Sequence, residues 1–190
     1  MLKDLVFKTR SYRRFDQSVS VDMDTLRELV DLARLSASGA NRQPLKFILF
    51  NEPEKNAQIF ACLHWAGYLK GWTGPAEGER PTAYIIILGD VNLSKAFGVN
   101  HGIAAQSMML GAVEKGLGGC MLGAIDTKPL RASLHIPEQY EILLVLALGK
   151  PVEKVVIDPV GEDGDIKYWR DKDGVHHVPK RSLDELILDL

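Results

Sequence analysis

The first side chains that could do chemistry lie in the segment Arg10-Ser-Tyr-Arg-Arg-Phe15. Its three guanidinium groups and one serine hydroxyl suit an anion, because arginine presents a planar fork of donors to phosphate or carboxylate oxygens. A solvated basic stretch near the terminus is the simpler alternative. A second cationic pair, Lys180 and Arg181, lies near the other end of the chain and is equally consistent with ordinary surface charge. The sequence therefore offers two candidate anion-binding groups.

A polar segment runs from Ser38 to Pro44 and reads Ser-Gly-Ala-Asn-Arg-Gln-Pro. Its asparagine and glutamine amides offer both donors and acceptors, which is what the edge of a polar heterocycle requires. Residues of the same types are also typical of a helix end. The segment is therefore a candidate ligand contact with an equally ordinary structural explanation.

Glycines flank a predicted strand at Gly116–Cys120 and again at Gly123–Asp126. Glycine allows the backbone to approach a flat ligand closely, although a helix end and a tight turn explain these residues equally well. The spacing does not fit the G-x-G-x-x-G pattern that opens a helix after a strand. A Rossmann dinucleotide site is therefore not supported.

The other reactive side chains lack the spacing of a metal or nucleophile site. The histidines have no i, i+4 partners or carboxylate spacing, the serines lie in no G-x-S-x-G turn, and the cysteines fall on predicted core surfaces. We therefore expect no metal and no catalytic side chain, so that in an enzyme a bound cofactor would supply the chemistry. The residues considered are Cys62, His101, Ser107, Cys120, Ser133, His176 and His177.

The composition is that of an ordinary globular protein. The chain has 190 residues, 46% hydrophobic and 25% charged, and a formal net charge of −2, which argues against disorder and against a nucleic-acid or membrane-surface partner. Asp4 and Lys8 interrupt the apolar region that a signal peptide needs, and no apolar run approaches the length of a membrane span. We expect one domain over residues 1–190, located in the cytoplasm.

Helices and strands alternate along the chain. A helix is predicted to begin at Asp22, with Val21 and Leu26 in the positions of a hydrophobic staple, and a helix that is apolar nearly all round is predicted over 102–114. This alternation predicts an α/β or α+β class with one sheet covered by helices. Further predictions are strands at 47–50, 83–88, 120–122 and 142–148, short helices from Pro53 and from Asp126 or Thr127, and a long loop at 67–81.

The C-terminal part of the chain is predicted to be mostly irregular. The residues from Pro151 to Val178 show loop-forming composition. Ser182 and Glu185 then have the spacing of a capping box, which predicts a final helix over Leu186 and Ile187.

Four segments together resemble the nitroreductase-like family of flavin mononucleotide (FMN) oxidoreductases. Residues 10–15 resemble its R-S-x-R-x-F signature, and residues 38–47 resemble its S-x-x-N-x-Q-P-W-x-F segment. Residues 102–123 resemble its long central helix and the following strand, and Leu148-Gly-Lys-Pro151 resembles the end of its last core strand. The resemblance covers residues 7–151, and residues 178–185 resemble a common C-terminal ending of the family.

The resemblance implies an α+β fold with a mixed central β-sheet flanked by helices, in an intertwined homodimer with two FMN sites at its interface. The apolar 102–114 helix is consistent with such an interface. The residues that would contact FMN fall into three groups. By position, the phosphate, ribitol and pyrimidine side of FMN would be contacted by Arg10, Ser11, Arg13 and Lys180 or Arg181. The flavin of the neighbouring subunit would be reached by Ala37, Ser38, Gly39 and Asn41. The ring would be passed by Leu122, Gly123 and Ala124, with a backbone N–H near the flavin N5.

The resemblance also implies a ping-pong reaction in which NADH or NADPH delivers hydride to FMN and a small electron-poor acceptor, such as a nitroaromatic or a quinone, is then reduced. Reductive dehalogenation, enoate reduction and flavin destruction remain alternatives on the same fold. A flavin-binding protein without turnover and an interaction domain without ligand remain alternatives from other classes. The sequence does not decide between NADH and NADPH or identify the physiological acceptor.

The chain departs from the family pattern at three positions. Thr9 stands where many relatives have arginine, Leu45 where tryptophan is usual, and Asn100 where an acidic residue is frequent. The loop Trp65–Pro81, with its aromatic residues, has no counterpart that we can place. We hypothesise that this loop lines the substrate face and sets the size of the acceptor.

Overall fold

The computed structural model describes residues 1–189 and shows an α+β protein. Helices and strands alternate over the first 151 residues, and the following segment carries three short strands joined by loops. The helices are α1 (Leu2–Lys8), α2 (Met23–Leu35), α3 (Pro53–Phe60), α4 (Asn100–Glu114) and α5 (Thr127–Leu134), with a single 3₁₀ turn at Gly39–Asn41; the strands are β1 (Phe15–Asp16), β2 (Leu45–Phe50), β3 (Ala83–Asp90), β4 (Gly118–Leu122), β5 (Tyr140–Pro151), β6 (Val155–Pro159), β7 (Trp169–Arg170) and β8 (His176–Lys180).

The main sheet is built around β5, which pairs with β3 on one side and with β4 on the other, while β2 extends the sheet beyond β3 and β1 pairs with the end of β5. One row of residues crosses it from Ile48 through Ile86 and Val145 to Leu122. Because side chains alternate along a strand, this whole row lies on one face of the sheet.

The predicted mixed sheet is wrong for the paired strands, because every pair of strands in the main sheet is antiparallel. Helix α4 carries the chain from β3 to β4, which run in the same direction. The later strand β5 fills the place between them and runs opposite to both. In the main sheet of the described chain, parallel hydrogen-bonded pairing is therefore limited to the isolated bridge between Ser11 and Gly119.

Two hydrophobic clusters cover the two faces of the sheet. Helices α2 and α4 pack on one face, and α3, α5 and the loop after α3 cover the other. The predicted start of α2 is confirmed, since Asp22 accepts a hydrogen bond from the Thr25 amide at 2.6 Å and Val21 and Leu26 are buried together. Helices α2 and α4 approach closely at Gly111, where a β-carbon would overlap the Leu32 side chain.

The predictions for the chain ends are partly wrong. Helix α1 was not predicted; it buries none of its residues, so it lacks the periodic core face that reveals a helix in a sequence. The segment 151–178 is rich in loops as predicted, but it also contains strands that were not predicted: β6 pairs in parallel with β8, and β7 pairs antiparallel with β8, in a second, three-stranded sheet. This pairing joins residues about 20 positions apart, which local composition does not show.

The predicted final helix over Leu186 and Ile187 is also wrong. The capping box does form, since Glu185 accepts from the Ser182 amide at 2.8 Å and Ser182 Oγ accepts from the Glu185 amide at 3.3 Å, but only a turn follows. Leu186 and Ile187 are exposed, so this short segment gains no tertiary burial to offset the cost of starting a helix.

Candidate functional site

The N-terminal signature lies between α1 and β1, against the start of β4. Ser11 bridges to Gly119, and the Tyr12 amide donates to the Gly119 carbonyl at 2.9 Å. A β-carbon at Gly118 would overlap the Tyr12 ring, and one at Gly119 would overlap the Ala147 carbonyl. These two glycines therefore allow the chain to approach itself closely.

Arg13 is the buried member of the signature, with 8% of its surface exposed. Its Nη1 donates to the Ser11 carbonyl at 3.2 Å and lies 3.1 Å from His176 Nε2. The guanidinium stacks over the Tyr168 ring with its carbon 4.7 Å from the ring centre. The C-terminal sheet and the residues just before it thus enclose Arg13.

Glu153 is the buried carboxylate of this region, and its side chain has no solvent exposure. It accepts a hydrogen bond from the Arg13 amide and forms an ion pair with Arg170, whose Nη2 is 3.1 Å from the carboxylate. Arg170 in turn stacks over the Trp72 ring at 4.8 Å. We call Arg13, Glu153, Tyr168, Arg170 and His176 the Arg13 cluster.

His176 is fully buried, and burial followed by the charges of Arg13 and Arg170 lowers its pKa to about 4. The imidazole is therefore neutral near pH 7. Arginine can only donate, so Nε2 accepts from Arg13 and Nδ1 carries the hydrogen. With His176 neutral, the Arg13 cluster holds two guanidinium groups, those of Arg13 and Arg170, and one carboxylate, that of Glu153, so it carries an excess positive charge.

Several buried donors near this cluster are unsatisfied. Among the residues that the structure describes, Nε of Arg10, Arg13 and Arg170 and Nδ1 of His176 have no hydrogen-bond partner. Burial also lowers the pKa of the Arg10 guanidinium, which shows that this charge too is partly withdrawn from water. Unpaired buried donors are costly, so this region suits a group that brings negative charge or acceptor atoms.

The second cationic pair has a different setting. Lys180 ends β8 and Arg181 follows it; both are exposed, and Arg181 pairs with Glu185 at 3.4 Å. No hydrogen bond or ion pair between described residues joins this pair to Arg10 or Arg13. Lys180 lies four residues along β8 from His176, which corresponds to roughly 13 Å of strand.

The segment after α2 forms a strained turn held by one side chain. Asn100 Oδ1 accepts from the Ser38 hydroxyl at 3.0 Å and from the Gly39 amide at 2.9 Å. Ala40, Asn41 and Gln43 all adopt positive φ angles. Strained backbone of this kind clusters at functional sites.

A cavity of about 190 Å³ lies beside this turn. Of the predicted residues, Ala37 and Ser38 line it and Asn41 lies nearby on the exposed side. The sequence singled out Asn100 only as a departure from the family pattern, whereas the structure shows it as the residue that anchors the turn.

The third predicted segment follows β4. Leu122 is buried, and Gly123 and Ala124 are exposed at the strand end. The Ala124 carbonyl accepts from the His64 amide at 3.0 Å, and His64 Nε2 lies 3.1 Å from Asp126 Oδ1. Sequence reasoning missed His64, because the residue has no motif around it and meets Asp126 only in the fold.

The aromatic loop is attached to the rest of the molecule by several contacts. Trp65 is buried and Trp72 is half-buried against the same hydrophobic cluster, whereas Tyr68 is about half exposed and packs on Tyr168 with ring centres 5.0 Å apart. Glu79 at the end of the loop pairs with Arg14, with Arg14 Nε 2.8 Å from its carboxylate. Of the three loop aromatics, Tyr68 is therefore the most exposed.

A metal-binding cluster and a membrane-spanning helix are both absent from residues 1–189. No group of three or more His, Cys, Asp and Glu side chains among them could hold a metal ion. No helix among them is long and apolar enough to cross a membrane.

The residues of the N-terminal signature fit FMN. The phosphate and the pyrimidine ring of FMN are acceptor-rich, and the signature with its surroundings supplies excess positive charge and unpartnered buried N–H donors. Arg10, Ser11 and Arg13 are within four residues of one another, so a single ligand could contact all of them.

Known proteins are similar to this chain in sequence and in fold. A family model described as "Nitroreductase family" matches residues 6–70 and 78–150. The chain is 26% identical over 179 residues to "Putative NAD(P)H nitroreductase YodC" of Bacillus subtilis strain 168, covering 78% of this chain and 89% of that protein. The fold is similar to that of a nitroreductase family protein of Streptococcus pneumoniae TIGR4, with a TM-score of 0.75, 17% identity and complete coverage of both chains. It is also similar to an FMN-dependent nitroreductase of Clostridium difficile R20291, with a TM-score of 0.66, 22% identity and coverage of 79% and 87%.

Proposed function

The chain belongs to the nitroreductase family, and we propose that it is an FMN-dependent oxidoreductase that uses NADH or NADPH to reduce nitroaromatics, quinones or similar electron-poor acceptors. The observation that carries the proposal is the Arg13 cluster, which combines excess positive charge with unpartnered buried donors inside the family's N-terminal signature. The names of two relatives, which specify FMN in one and NAD(P)H in the other, support the same choice of cofactor and donor.

Three residues of the signature would hold the cofactor. Arg10 and the Ser11 hydroxyl would bind on the phosphate and ribitol side, and Arg13 on the pyrimidine side, where its fixed guanidinium favours negative charge. Lys180 and Arg181 would add positive charge at the phosphate. Their exposure leaves both side chains free to reach a ligand, at a larger cost in side-chain entropy than for Arg13.

The strained turn and the end of β4 would hold the flavin ring. Ala37, Ser38, Gly39 and Asn41 would contact the flavin of a neighbouring subunit, and Asn100 would keep this turn in its strained shape. The backbone from Leu122 to Ala124 would pass the ring, with an N–H directed toward N5. Leu122 is buried in the core, so this part of the site rests on a rigid strand.

This division of the site between subunits requires a homodimer, which exposed apolar residues near the N-terminus favour. Helix α1 buries no residue, and its Leu2, Val6 and Phe7 are exposed, as is Leu35 at the end of α2. Apolar residues clustered in this way favour contact with a second copy. Light scattering that returns the mass of one chain at micromolar concentration would contradict the dimer.

The protein's own contribution is placement and electrostatics. When bound, FMN supplies the redox chemistry by accepting hydride from the nicotinamide and passing two electrons to the acceptor. The arginines bind and orient it, and their positive charge favours its more negative states. The buried strands around Leu122 exclude water from one side of the site.

The test is an absorbance spectrum of the purified protein before and after anaerobic addition of NADH or NADPH. We expect flavin bands near about 450 nm that bleach with at least one donor, and the faster donor identifies the preference. Free FMN in the same buffer is the control for direct reduction. A colourless protein that also fails to take up added FMN would overturn the proposal, and bound FMN that neither donor bleaches would replace it with flavin binding without turnover.

A further inference from the structure

A histidine–carboxylate pair lies immediately beside the predicted flavin-contacting segment. His64 Nε2 is 3.1 Å from Asp126 Oδ1, and the two side chains are 64% and 52% exposed. Their backbones are fixed to each other, since Leu63 bridges to Ile125 and the Asp126 amide donates to the Cys62 carbonyl at 2.8 Å. The pair is therefore accessible to a small molecule and yet attached to rigid structure.

The Asp126 carboxylate is directed at the imidazole rather than at its own helix. Asp126 is the N-cap residue of α5, a position where aspartate ordinarily accepts a hydrogen bond from a first-turn amide. Within the described chain it makes no such capping bond, and it pairs with His64 instead. Helix capping therefore does not account for the orientation of this carboxylate.

The pairing also fixes which imidazole nitrogen is free. A carboxylate accepts, so Nε2 carries the hydrogen that faces Asp126. Nδ1 of His64 has no hydrogen-bond partner among residues 1–189, and the exposed ring leaves it open to solvent and to ligands. A histidine oriented by a carboxylate through one nitrogen is suited to move a proton through the other.

We propose that His64 donates the proton that acceptor reduction requires, and that Asp126 is the positioning residue that orients it. The inference rests on the proposed function. It follows from the 3.0 Å hydrogen bond between the His64 amide and the Ala124 carbonyl, which holds His64 beside the segment assigned to the flavin ring.

The proton balance of the reaction requires such a donor. A quinone that gains a hydride, originating in the nicotinamide, becomes a hydroquinone only when one proton is added to its oxygen. A nitro group that gains a hydride and one proton gives a nitroso group and water. In both cases His64 Nδ1 gives its proton to an acceptor oxygen, the ring becomes neutral, and solvent returns a proton to Nδ1.

Two titratable side chains lie next to His64 in the fold or in the chain. Asp126 is the carboxylate paired with it, and the buried Cys62 is two residues earlier in the sequence. Burial raises the pKa of the Cys62 thiol, and the charge of Asp126 raises it further, so the thiol stays protonated at neutral pH. The unpartnered Nδ1 of His64 is therefore the position at this place from which a proton can pass to a ligand.

The experiment separates proton transfer from electron transfer. Stopped-flow measurements on the FMN-loaded wild type and His64→Gln follow flavin reduction by NADH, then reoxidation by a quinone or by ferricyanide, which takes an electron without a proton. We expect His64→Gln to slow reoxidation by the quinone at least about tenfold, as for the loss of a general acid. Flavin reduction by NADH and reoxidation by ferricyanide should stay unchanged. Asp126→Asn should show a smaller loss of the same kind.

The matched control is His135→Gln, which removes another exposed histidine, at the opposite end of α5. It should leave all three rates unchanged. Equal rates of quinone reoxidation in wild type and His64→Gln would overturn the proposal, as would an equal loss with quinone and ferricyanide. Wild-type protein that takes up no FMN would instead overturn the proposed function, and this inference with it.

A second measurement does not depend on turnover. Diethyl pyrocarbonate modifies exposed imidazoles, and mass spectrometry of peptides reports the rate at each histidine. Because FMN would lie beside His64, adding FMN should slow modification of His64 several-fold and leave His135 unchanged. Equal protection of both, or of neither, would show that His64 is not at the site.

Discussion

The two cationic groups of this chain, Arg10 with Arg13 and Lys180 with Arg181, contain similar side chains in different surroundings. Arg13 is buried and is held by residues about 140 and 160 positions away in the sequence. Arg181 is about half exposed and pairs with Glu185, four residues along. Charge alone therefore does not distinguish a buried cationic group from an exposed one; the fold around the charge does.

Burial changes what each charged contact contributes. Two partly exposed charges gain little from pairing, because water screens them and the long side chains lose entropy. A buried charge has lost its hydration and depends on its partner, so removing the partner is costly. Glu153 is such a partner, whereas Glu185 is the exposed counterpart at the other cationic group.

The largest expected difference between the two groups comes from removing one carboxylate from each. Glu153→Gln should lower the free energy of unfolding by about 3 kcal/mol, because it removes the buried counter-charge of Arg170 and weakens the hydrogen bond to the Arg13 amide. Glu185→Gln, the matched control, should change it by less than about 0.5 kcal/mol. Urea denaturation followed by circular dichroism measures both. Similar midpoints for the two variants would show that the Arg13 cluster does not depend on its carboxylate.

An intermediate effect is expected from conservative changes at the two arginines. Arg13→Lys keeps the charge but loses the planar fork that meets His176 and stacks on Tyr168, so the affinity for FMN should fall about tenfold. Arg181→Lys should change it less than about threefold, because an exposed lysine supplies nearly the same charge. Fluorescence titration of FMN with each apoprotein gives both constants. A larger loss at Arg181 would reverse the ranking of the two groups.

The smallest effect concerns the histidine next to His176. His177 stacks on Trp169. It lies between Asp158 and Asp171, with its Nδ1 2.6 Å from the Asp158 carboxylate. The neighbouring His176 is neutral. Burial lowers the pKa of His177, but hydrogen bonds and charges from the two carboxylates outweigh this and raise it overall. The stabilisation of the C-terminal sheet by charged His177 is therefore complete below about pH 6.5, the usual pKa of histidine. This stabilisation is lost as the pH rises through the raised pKa of His177 in the folded protein.

Hydrogen exchange at the β8 amides, corrected for the intrinsic pH dependence, measures this effect. Protection in the wild type should decrease from pH 6 to pH 8.5, and His177→Gln should remove most of that change. Because β8 carries His176, a loss of protection would also loosen the enclosure of Arg13. A wild-type profile that is flat, or that rises with pH, would contradict this role of His177.

Much of the fold could be predicted from short stretches of sequence. Asp22 with its hydrophobic staple, Pro53 at the first turn of α3, and the apolar run of β3 all have local signals that the structure confirms. Local signals also have limits. Ser182 and Glu185 form their capping box without a helix after it, since the residues that follow find no surface to pack against.

The site was predicted less completely. The sequence motifs identified Arg10, Ser11 and Arg13, and the FMN contacts of all the assigned residues stay predictions. Glu153, Arg170 and His176 were missed as neighbours of Arg13, and His64 was missed as a partner of Asp126. Each of these contacts joins segments that no spacing rule connects.

The sequence by itself determined most of the elements between α2 and β5, the family and the types of side chain available, because helix caps, hydrophobic periodicity and motifs act over a few residues. Only the tertiary structure decided which arginine is buried, which histidine is neutral and which carboxylate faces an imidazole. These properties depend on desolvation and on contacts between distant segments. Both arise only when the chain closes around its core.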